Sequence, residues 1–85
     1  MYRLKIIAQA QNDLDTFRVK VFEKIKKKIL SLSSNPRPFG AIKLTQEEGY
    51  RIRVGDYRIL YRINDGSKEV IIYRVKHRKE DLMTH

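Results

Sequence analysis

Four arginines lie close together in the stretch YRIRVGDYRILYRI, which runs from residue 50 to residue 63. Arg51 and Arg53 alternate with apolar residues before a Gly-Asp pair, and Arg58 and Arg62 follow that pair. A guanidinium group stays charged at any working pH and matches a phosphate group with two parallel hydrogen bonds. The spacing therefore favours binding of a phosphate backbone. The competing interpretation is an exposed sheet face with ordinary long polar side chains.

A hairpin centred on the Gly-Asp pair would place these arginines on one side of a sheet, because side chains alternate between the faces of a strand. With a two-residue turn, three apolar or aromatic pairs form the opposite face: Val54 with Tyr57, Ile52 with Ile59, and Tyr50 with Tyr61. The arginine side then pairs Arg53 with Arg58, and Arg51 with Leu60. Like charges directly opposite each other destabilise a sheet, so we expect an external anion to offset this cost.

The segment KEVIIYRVKHRK, residues 68–79, brings further basic side chains and one imidazole towards the same edge: Arg74, Lys76, His77, Arg78 and Lys79. Which of them join the arginine side depends on the turn at residues 65–66. A two-residue turn puts Tyr73, Val75 and His77 beside Arg58. A three-residue turn puts Arg74, Lys76 and Arg78 there instead. The sequence leaves both registers open.

The composition limits the kind of protein that can carry these residues. The chain has 85 residues, of which 41% are hydrophobic, so we expect a single domain over residues 1–85 with a modest core. No cysteine is present, which excludes disulfides and fits a reducing cytoplasm. No apolar run is long enough for a signal peptide or a membrane span. A net charge of +9 favours a polyanionic partner over a role in solubility alone.

Hydrophobic spacing predicts the elements that must position the arginines. Residues 2–7 alternate weakly and predict a strand, and Ala10, Leu14 and Phe17 mark one face of a first helix. Residues 17–33 form the clearest helix, whose apolar stripe has four members: Phe22, Ile25, Ile29 and Leu32. The two prolines in residues 33–38 end this helix. Residues 39–44 are a candidate short strand, and residues 45–49 are a predicted loop.

The predicted order of elements is therefore β-α-α-β-β-β, to which the candidate short strand would add one more. This order indicates an α+β fold, in which two N-terminal helices pack on one face of an antiparallel, twisted sheet. Several lysines lie opposite the apolar stripe of the second helix: Lys20, Lys24, Lys27 and Lys28. A solvated helix exterior is the favoured interpretation of these lysines, and a stripe that binds a nucleic-acid backbone is the alternative.

The sequence resembles the RelE/ParE toxin superfamily. The resemblance rests on YRIRVGDYRILYRI, on EVIIYRVKHRKE and on LSLSSNPRPFGAIKL, and it extends over essentially the whole chain. It implies the same two-helix, single-sheet fold and a toxin of a type II toxin–antitoxin system. In the RelE-like branch it implies a toxin that enters the ribosomal A site, cuts messenger RNA and is neutralised by an acidic, RelB-like antitoxin. In the ParE-like branch the target is DNA gyrase, and RNA cleavage is absent.

The resemblance also implies roles for particular residues. RelE-like toxins use basic residues at four positions that match this chain: Arg51, Arg53, Arg58 and Arg78. A related branch uses a histidine where His77 stands. Many RelE-like members carry a tyrosine a few residues later, where this chain has Leu82 or Thr84. That departure keeps open a ParE-like gyrase inhibitor and a catalytically weak relative that only binds nucleic acid.

Metal-free cleavage of RNA would need three kinds of group. A base must take the 2′-hydroxyl proton, cations must hold the phosphate oxyanion, and an acid must protonate the departing 5′ oxygen. We expect Arg58 and Arg53 at the scissile phosphate, with Arg51 and Arg78 in support. Arginine does not deprotonate in proteins, so it cannot be the base. The main prediction is therefore a ribosome-dependent endoribonuclease whose proton carrier is a different residue.

His77 is the predicted proton carrier, because imidazole titrates near neutrality. The alternative for His77 is a hydrogen-bonded histidine at the end of a strand, and His85 and Lys43 are weaker candidates for the proton transfer. Five basic residues are predicted to bind nucleic acid: Lys43, Arg62, Arg74, Lys76 and Lys79. No motif for a nucleotide cofactor or a metal is present, so we expect neither.

Overall fold

Two helices cover one face of a five-stranded sheet in the computed structural model, which describes residues 1–46 and 48–79. The elements follow one another as β1 (Arg3–Ile6), α1 (Ala8–Asp15), α2 (Val19–Ser31), β2 (Ile42–Lys43), β3 (Tyr50–Val54), β4 (Tyr57–Asn64) and β5 (Glu69–His77). The predicted α+β architecture is confirmed. The candidate strand at 39–44 is present as the two residues of β2. Neither described helix has the length and apolar character needed to cross a bilayer.

The apolar stripe of α2 faces the sheet, as its spacing predicts. Ile25 and Ile29 are buried, and Leu32 is buried just beyond the last helical residue. They join the inward side chains of the strands in one core cluster. Phe17 lies after the end of α1 rather than within it, although it still packs against this core. A stripe at spacings of three and four residues is sufficient to fix which face of α2 is covered.

The sheet has the strand order β1-β5-β4-β3-β2, and it is not wholly antiparallel. β1 runs parallel to β5, with Leu4 opposite Val70 and Ile6 opposite Ile72, whereas the other neighbours are antiparallel. The expectation of a purely antiparallel sheet was therefore wrong at this edge. A parallel pair needs a long crossover connection, and the two helices provide its first part. Hydrophobic alternation identifies β1 as a strand but carries no information about its partner.

Asp13 of α1 accepts hydrogen bonds from the part of β5 that extends beyond its pairing with β1. β1 ends opposite Ile72, so the next stretch of β5 lacks a strand neighbour on that side. The Asp13 carboxylate accepts the backbone N–H of Val75 at 2.9 Å and Nε of Arg74 at 2.9 Å. The Arg74 guanidinium is therefore turned towards α1 at the sheet edge.

Candidate functional site

The hairpin of β3 and β4 has the predicted register. Arg53 lies opposite Arg58, and Arg51 lies opposite Leu60. On the other side of the hairpin, Ile52, Ile59 and Tyr61 are buried against the helices. We call the side that carries Arg51, Arg53 and Arg58 the arginine face. The predicted clustering of like charges on one face of the sheet is therefore present.

A β-bulge decides which residues of β5 join the arginine face. Four residues, 65–68, separate Asn64 from its partner Glu69, so the turn has neither of the two lengths considered from the sequence. Regular pairing from that end would set Val75 opposite Arg58. The bulge between Leu60 and Tyr61 shifts the register by one residue, and Lys76 lies opposite Arg58 instead.

The same register separates His77 from the arginine face. His77 lies opposite Tyr57, and their rings meet edge to face with centroids 5.0 Å apart. Tyr57 in turn contacts Phe17 on the side of the helices. The backbone N–H of Lys79 donates to Nδ1 of His77 at 3.1 Å. His77 thus has the geometry of a hydrogen-bonded histidine at a strand end, and its catalytic role stays a prediction.

The tip of the hairpin forms a small cavity of about 190 Å³ on the arginine side. Its described lining consists of Arg53, Gly55, Asp56, Tyr57, Arg58 and Arg78. Arg78 follows β5, and its backbone N–H donates to the carbonyl oxygen of Asp56 at 2.8 Å. That bond joins the end of β5 to the turn. Three of the four residues that the family resemblance singled out are therefore brought to one cavity.

Positively charged side chains outnumber negatively charged ones among the described residues that line this cavity. Across residues 1–46 and 48–79, no carboxylate forms an ion pair with Arg53. Asp56 is the one acid among the described lining residues, and its Oδ1 lies 3.8 Å from Nε of Arg78. Nε of Arg51 is buried, and the described part of the chain offers it no hydrogen-bond acceptor.

A larger groove of about 700 Å³ lies at the other end of β3 and β4. Lys43 and Arg62, both predicted to bind nucleic acid, are among its lining residues. The guanidinium of Arg62 lies over the ring of Tyr73, 5.0 Å from the ring centroid. Lys79 is exposed beyond β5. These positions are compatible with contacts to a flanking nucleic-acid backbone. Such contacts stay predictions for these residues, and also for Arg74. His85, Leu82 and Thr84 lie outside the described residues.

A polar network that no sequence pattern predicted lies beside this groove. The Arg37 guanidinium donates to Asp65 Oδ2 at 2.9 Å and to the Tyr50 hydroxyl at 3.0 Å. The Tyr2 hydroxyl donates to Asp65 Oδ1 at 2.6 Å. The hydrogen bonds from Arg37 and then from Tyr2 lower the pKa of Asp65 to about 2. Asp65 shows in the sequence only as a turn residue, so the pattern contains no signal for a partner 28 residues away.

Stability should depend on pH through Asp65. Its pKa is lowered from 3.8 in the unfolded chain to about 2, so its contribution is complete above pH 3.8 and is lost as the pH falls towards 2. We expect the melting temperature of Asp65→Asn to lie below that of the wild type at pH 5 and to approach it at pH 2. Thermal melts of both proteins across this range measure the difference. Parallel curves for the two proteins would contradict the assignment.

Comparison with known proteins gives a consistent result. Residues 4–82 match the family model described as the ParE toxin of the type II toxin–antitoxin system parDE. The chain resembles a solved chain of the Mycobacterium tuberculosis RelBE2 toxin–antitoxin complex, with 30% identity and a TM-score of 0.81 over 91% of this chain and 98% of that one. No curated protein sequence matches it.

Two further complexes have similar chains. The intact Escherichia coli RelBE toxin–antitoxin complex gives 25% identity and a TM-score of 0.79, covering 91% of this chain and 96% of that one. The archaeal RelE–RelB complex of Pyrococcus horikoshii gives 28% identity and a TM-score of 0.77, covering 91% and 94%. Each comparison covers 91% of this chain, so the likeness extends over most of its length.

Proposed function

This chain belongs to the ParE toxin family of type II toxin–antitoxin systems, within the RelE/ParE superfamily, and we propose, from its likeness to solved RelE chains and from its arginine face, that it is a ribosome-dependent endoribonuclease. It cuts messenger RNA in the ribosomal A site by metal-free acid–base chemistry. The observation that carries this proposal is the hairpin-tip cavity, where Arg53, Arg58 and Arg78 meet beside a single described carboxylate.

The cavity suits a phosphate that gains charge during a reaction. Neighbouring strands are about 5 Å apart, so the guanidinium groups of Arg53 and Arg58 can contact different oxygens of one phosphate. Arg78 is fixed at the same cavity by its backbone bond to the turn. Fixed donors of this kind stabilise an oxyanion without reorganisation, and each is worth about 10²–10³ in rate. Lys76, opposite Arg58, extends the cationic surface for the flanking RNA backbone.

The partners follow from the charge and from the relatives. A toxin with a net charge of +9 needs an anionic surface to neutralise it, and the similar solved chains come from complexes of RelE with RelB. We therefore propose a cognate acidic antitoxin of the RelB type. The ribosome and its messenger are the proposed targets, which places the activity in the cytoplasm.

The test is to add the purified protein to translating ribosomes and to map the 5′ ends of the messenger by primer extension. New ends within codons in the A site are expected, and the same RNA without ribosomes should stay intact. If messengers remain whole at protein levels that stop growth, the nuclease proposal is wrong.

A second candidate function is inhibition of DNA gyrase without RNA cleavage. The matching family model is named for ParE, and His77 lies away from the arginine face, which leaves the proton transfer without its predicted carrier. A supercoiling assay separates the two functions. Inhibited supercoiling together with intact messenger would favour the gyrase target. If growth is unaffected and RNA binding falls steeply with salt, the chain is a nucleic-acid-binding relative instead.

A further inference from the structure

Among the described residues, none of the proton carriers predicted from the sequence lines the hairpin-tip cavity. The arginines of the hairpin-tip cavity cannot accept a proton, and His77 lies on the other face of the sheet. We propose that Asp56, at the tip of the hairpin, takes the proton from the 2′-hydroxyl of the RNA. This inference rests on the proposed nuclease function and names a catalytic residue that neither the sequence pattern nor the family resemblance had given that role.

Two contacts hold Asp56 at the cavity wall. Its carbonyl oxygen accepts the backbone N–H of Arg78 at 2.8 Å, and its carboxylate lies 3.8 Å from Nε of the same arginine. Gly55 precedes it with φ +60, the conformation that a type II′ turn requires at its first central residue. The Asp56 side chain remains 61% exposed, so it is open to a bound substrate. The end of β5 thus fixes the backbone of Asp56, and the carboxylate stays accessible beside Arg78.

The position of Asp56 matches the geometry that the reaction needs. A general base must lie within hydrogen-bond reach of the hydroxyl whose proton it removes, and the 2′-hydroxyl is adjacent to the scissile phosphate. Arg53 and Arg58 would hold that phosphate in the cavity that Asp56 also lines. A carboxylate oxygen has lone pairs that accept a hydrogen bond from a hydroxyl group, so the Asp56 side chain offers an acceptor for the 2′ proton.

The step balances without a metal or a cofactor. Asp56 takes the 2′ proton, the 2′ oxygen forms a bond to phosphorus, and the bond from phosphorus to the 5′ oxygen breaks. The departing 5′ oxygen takes a proton from a water molecule, and the hydroxide that remains is neutralised by the proton on Asp56. The products are a 2′,3′-cyclic phosphate and a 5′-hydroxyl, and Asp56 and the water are regenerated.

A purely electrostatic role for Asp56 predicts the opposite result from a catalytic one. A negative charge beside Arg53, Arg58 and Arg78 weakens the binding of a polyanion. If Asp56 only balances these charges, Asp56→Asn should bind RNA more tightly and cleave it at least as fast as the wild type. If Asp56 is the base, the same variant should bind as tightly or more tightly and cleave far more slowly.

The experiment compares wild type, Asp56→Asn and Asp56→Glu in single-turnover cleavage on programmed ribosomes, with affinity for the ribosome measured in parallel. We expect Asp56→Asn to lower the cleavage rate about 10²–10³-fold at unchanged or higher affinity, and Asp56→Glu to stay within about tenfold of the wild type. Asn suits a turn as well as Asp does, so the melting temperature should not fall. Asp15→Asn, an exposed charge-matched variant on α1, should cleave normally.

Two results would overturn the inference, and they are distinguishable. Cleavage by Asp56→Asn within about threefold of the wild-type rate would remove Asp56 from the chemistry while the nuclease proposal stands. Intact messenger with the wild-type protein would remove the proposed function itself and this inference with it. Cyclic phosphate ends on the wild-type product support the balanced step, and 3′-phosphate ends formed without a cyclic intermediate contradict it.

Discussion

Replacing Arg58 by alanine should lower messenger cleavage about 10²–10³-fold and leave the protein folded. Arg58 lies opposite Arg53 and lines the hairpin-tip cavity, where it would hold the phosphate oxyanion. Its side chain belongs to the arginine face, opposite the face that the helices bury. Arg58 lies outside the core cluster but is half-buried, so we expect a modest fall in the melting temperature and a transition that stays cooperative. Single-turnover cleavage and thermal melts measure the two quantities.

Arg3→Ala provides the matched control for the lost charge. Arg3 is exposed on β1, at the opposite edge of the sheet order from β2 and β3. Its removal should change the net charge equally and leave the cleavage rate close to that of the wild type. Equal losses of activity in both variants would mean that general attraction to the ribosome, rather than a fixed oxyanion contact, explains the effect. An unfolded Arg58→Ala protein would mean that the two faces of the hairpin are assigned the wrong way round.

The largest expected effect on stability comes from Gly49→Ala. Gly49 has φ +116, a conformation that L side chains rarely adopt, and a Cβ there would overlap the carbonyl oxygen of Tyr61. Tyr61 is fully buried in β4, so its backbone cannot move away without disturbing the core. Strain of about 1–3 kcal/mol and overpacking of about 1–3 kcal/mol together predict a loss of about 2–6 kcal/mol. Denaturant unfolding measures this loss.

Gly40→Ala separates the two contributions. Gly40 has φ +102, but an added Cβ would meet nothing within 4 Å. This variant should therefore lose only the conformational part, about 1–3 kcal/mol. If the two variants are destabilised equally, the contact between Gly49 and β4 contributes nothing, and the packing of Gly49 against Tyr61 differs from the one described.

The hairpin could be predicted from the sequence almost completely. The Gly55-Asp56 pair fixes both the turn and the register, and alternation then fixes the two faces, as the pairing of Arg53 with Arg58 confirms. Helix α2 was equally accessible, because its apolar residues recur at a helical period. In both cases the information is local, and a window of about fifteen residues contains all of it.

The register of β5 could not be predicted from such local information. It depends on a four-residue turn combined with a bulge that adds one residue, Tyr73, opposite β4. A faint signal exists in the spacing of the buried residues of β5, which is two from Val70 to Ile72 and three from Ile72 to Val75. A regular strand keeps a spacing of two, so a step of three indicates a bulge. That step is the reason that Lys76, and not His77, lies beside Arg58.

The remaining surprises come from contacts between residues far apart in the chain. The parallel pairing of β1 with β5 and the ion pair of Asp13 with Arg74 join segments separated by about sixty residues. Hydrophobic periodicity does not reveal which distant segment a strand or helix contacts, because each segment would have the same pattern with a different neighbour. Asp56 is a different case, since the sequence showed it as a turn residue and only the return of Arg78 to the turn places it at a cavity.

The pairing of β1 with β5 also has a consequence for biosynthesis. β1 leaves the ribosome before the other strands described here, and the strand it must join, β5, follows all of them in chain order. A nascent chain that stops before β5 lacks the strand that pairs with β1. It also lacks Arg78, whose backbone N–H bonds to Asp56 at the hairpin tip. We expect a fragment ending at residue 68 to show no cooperative melting. The toxin can therefore reach its folded state only after β5 has been synthesised.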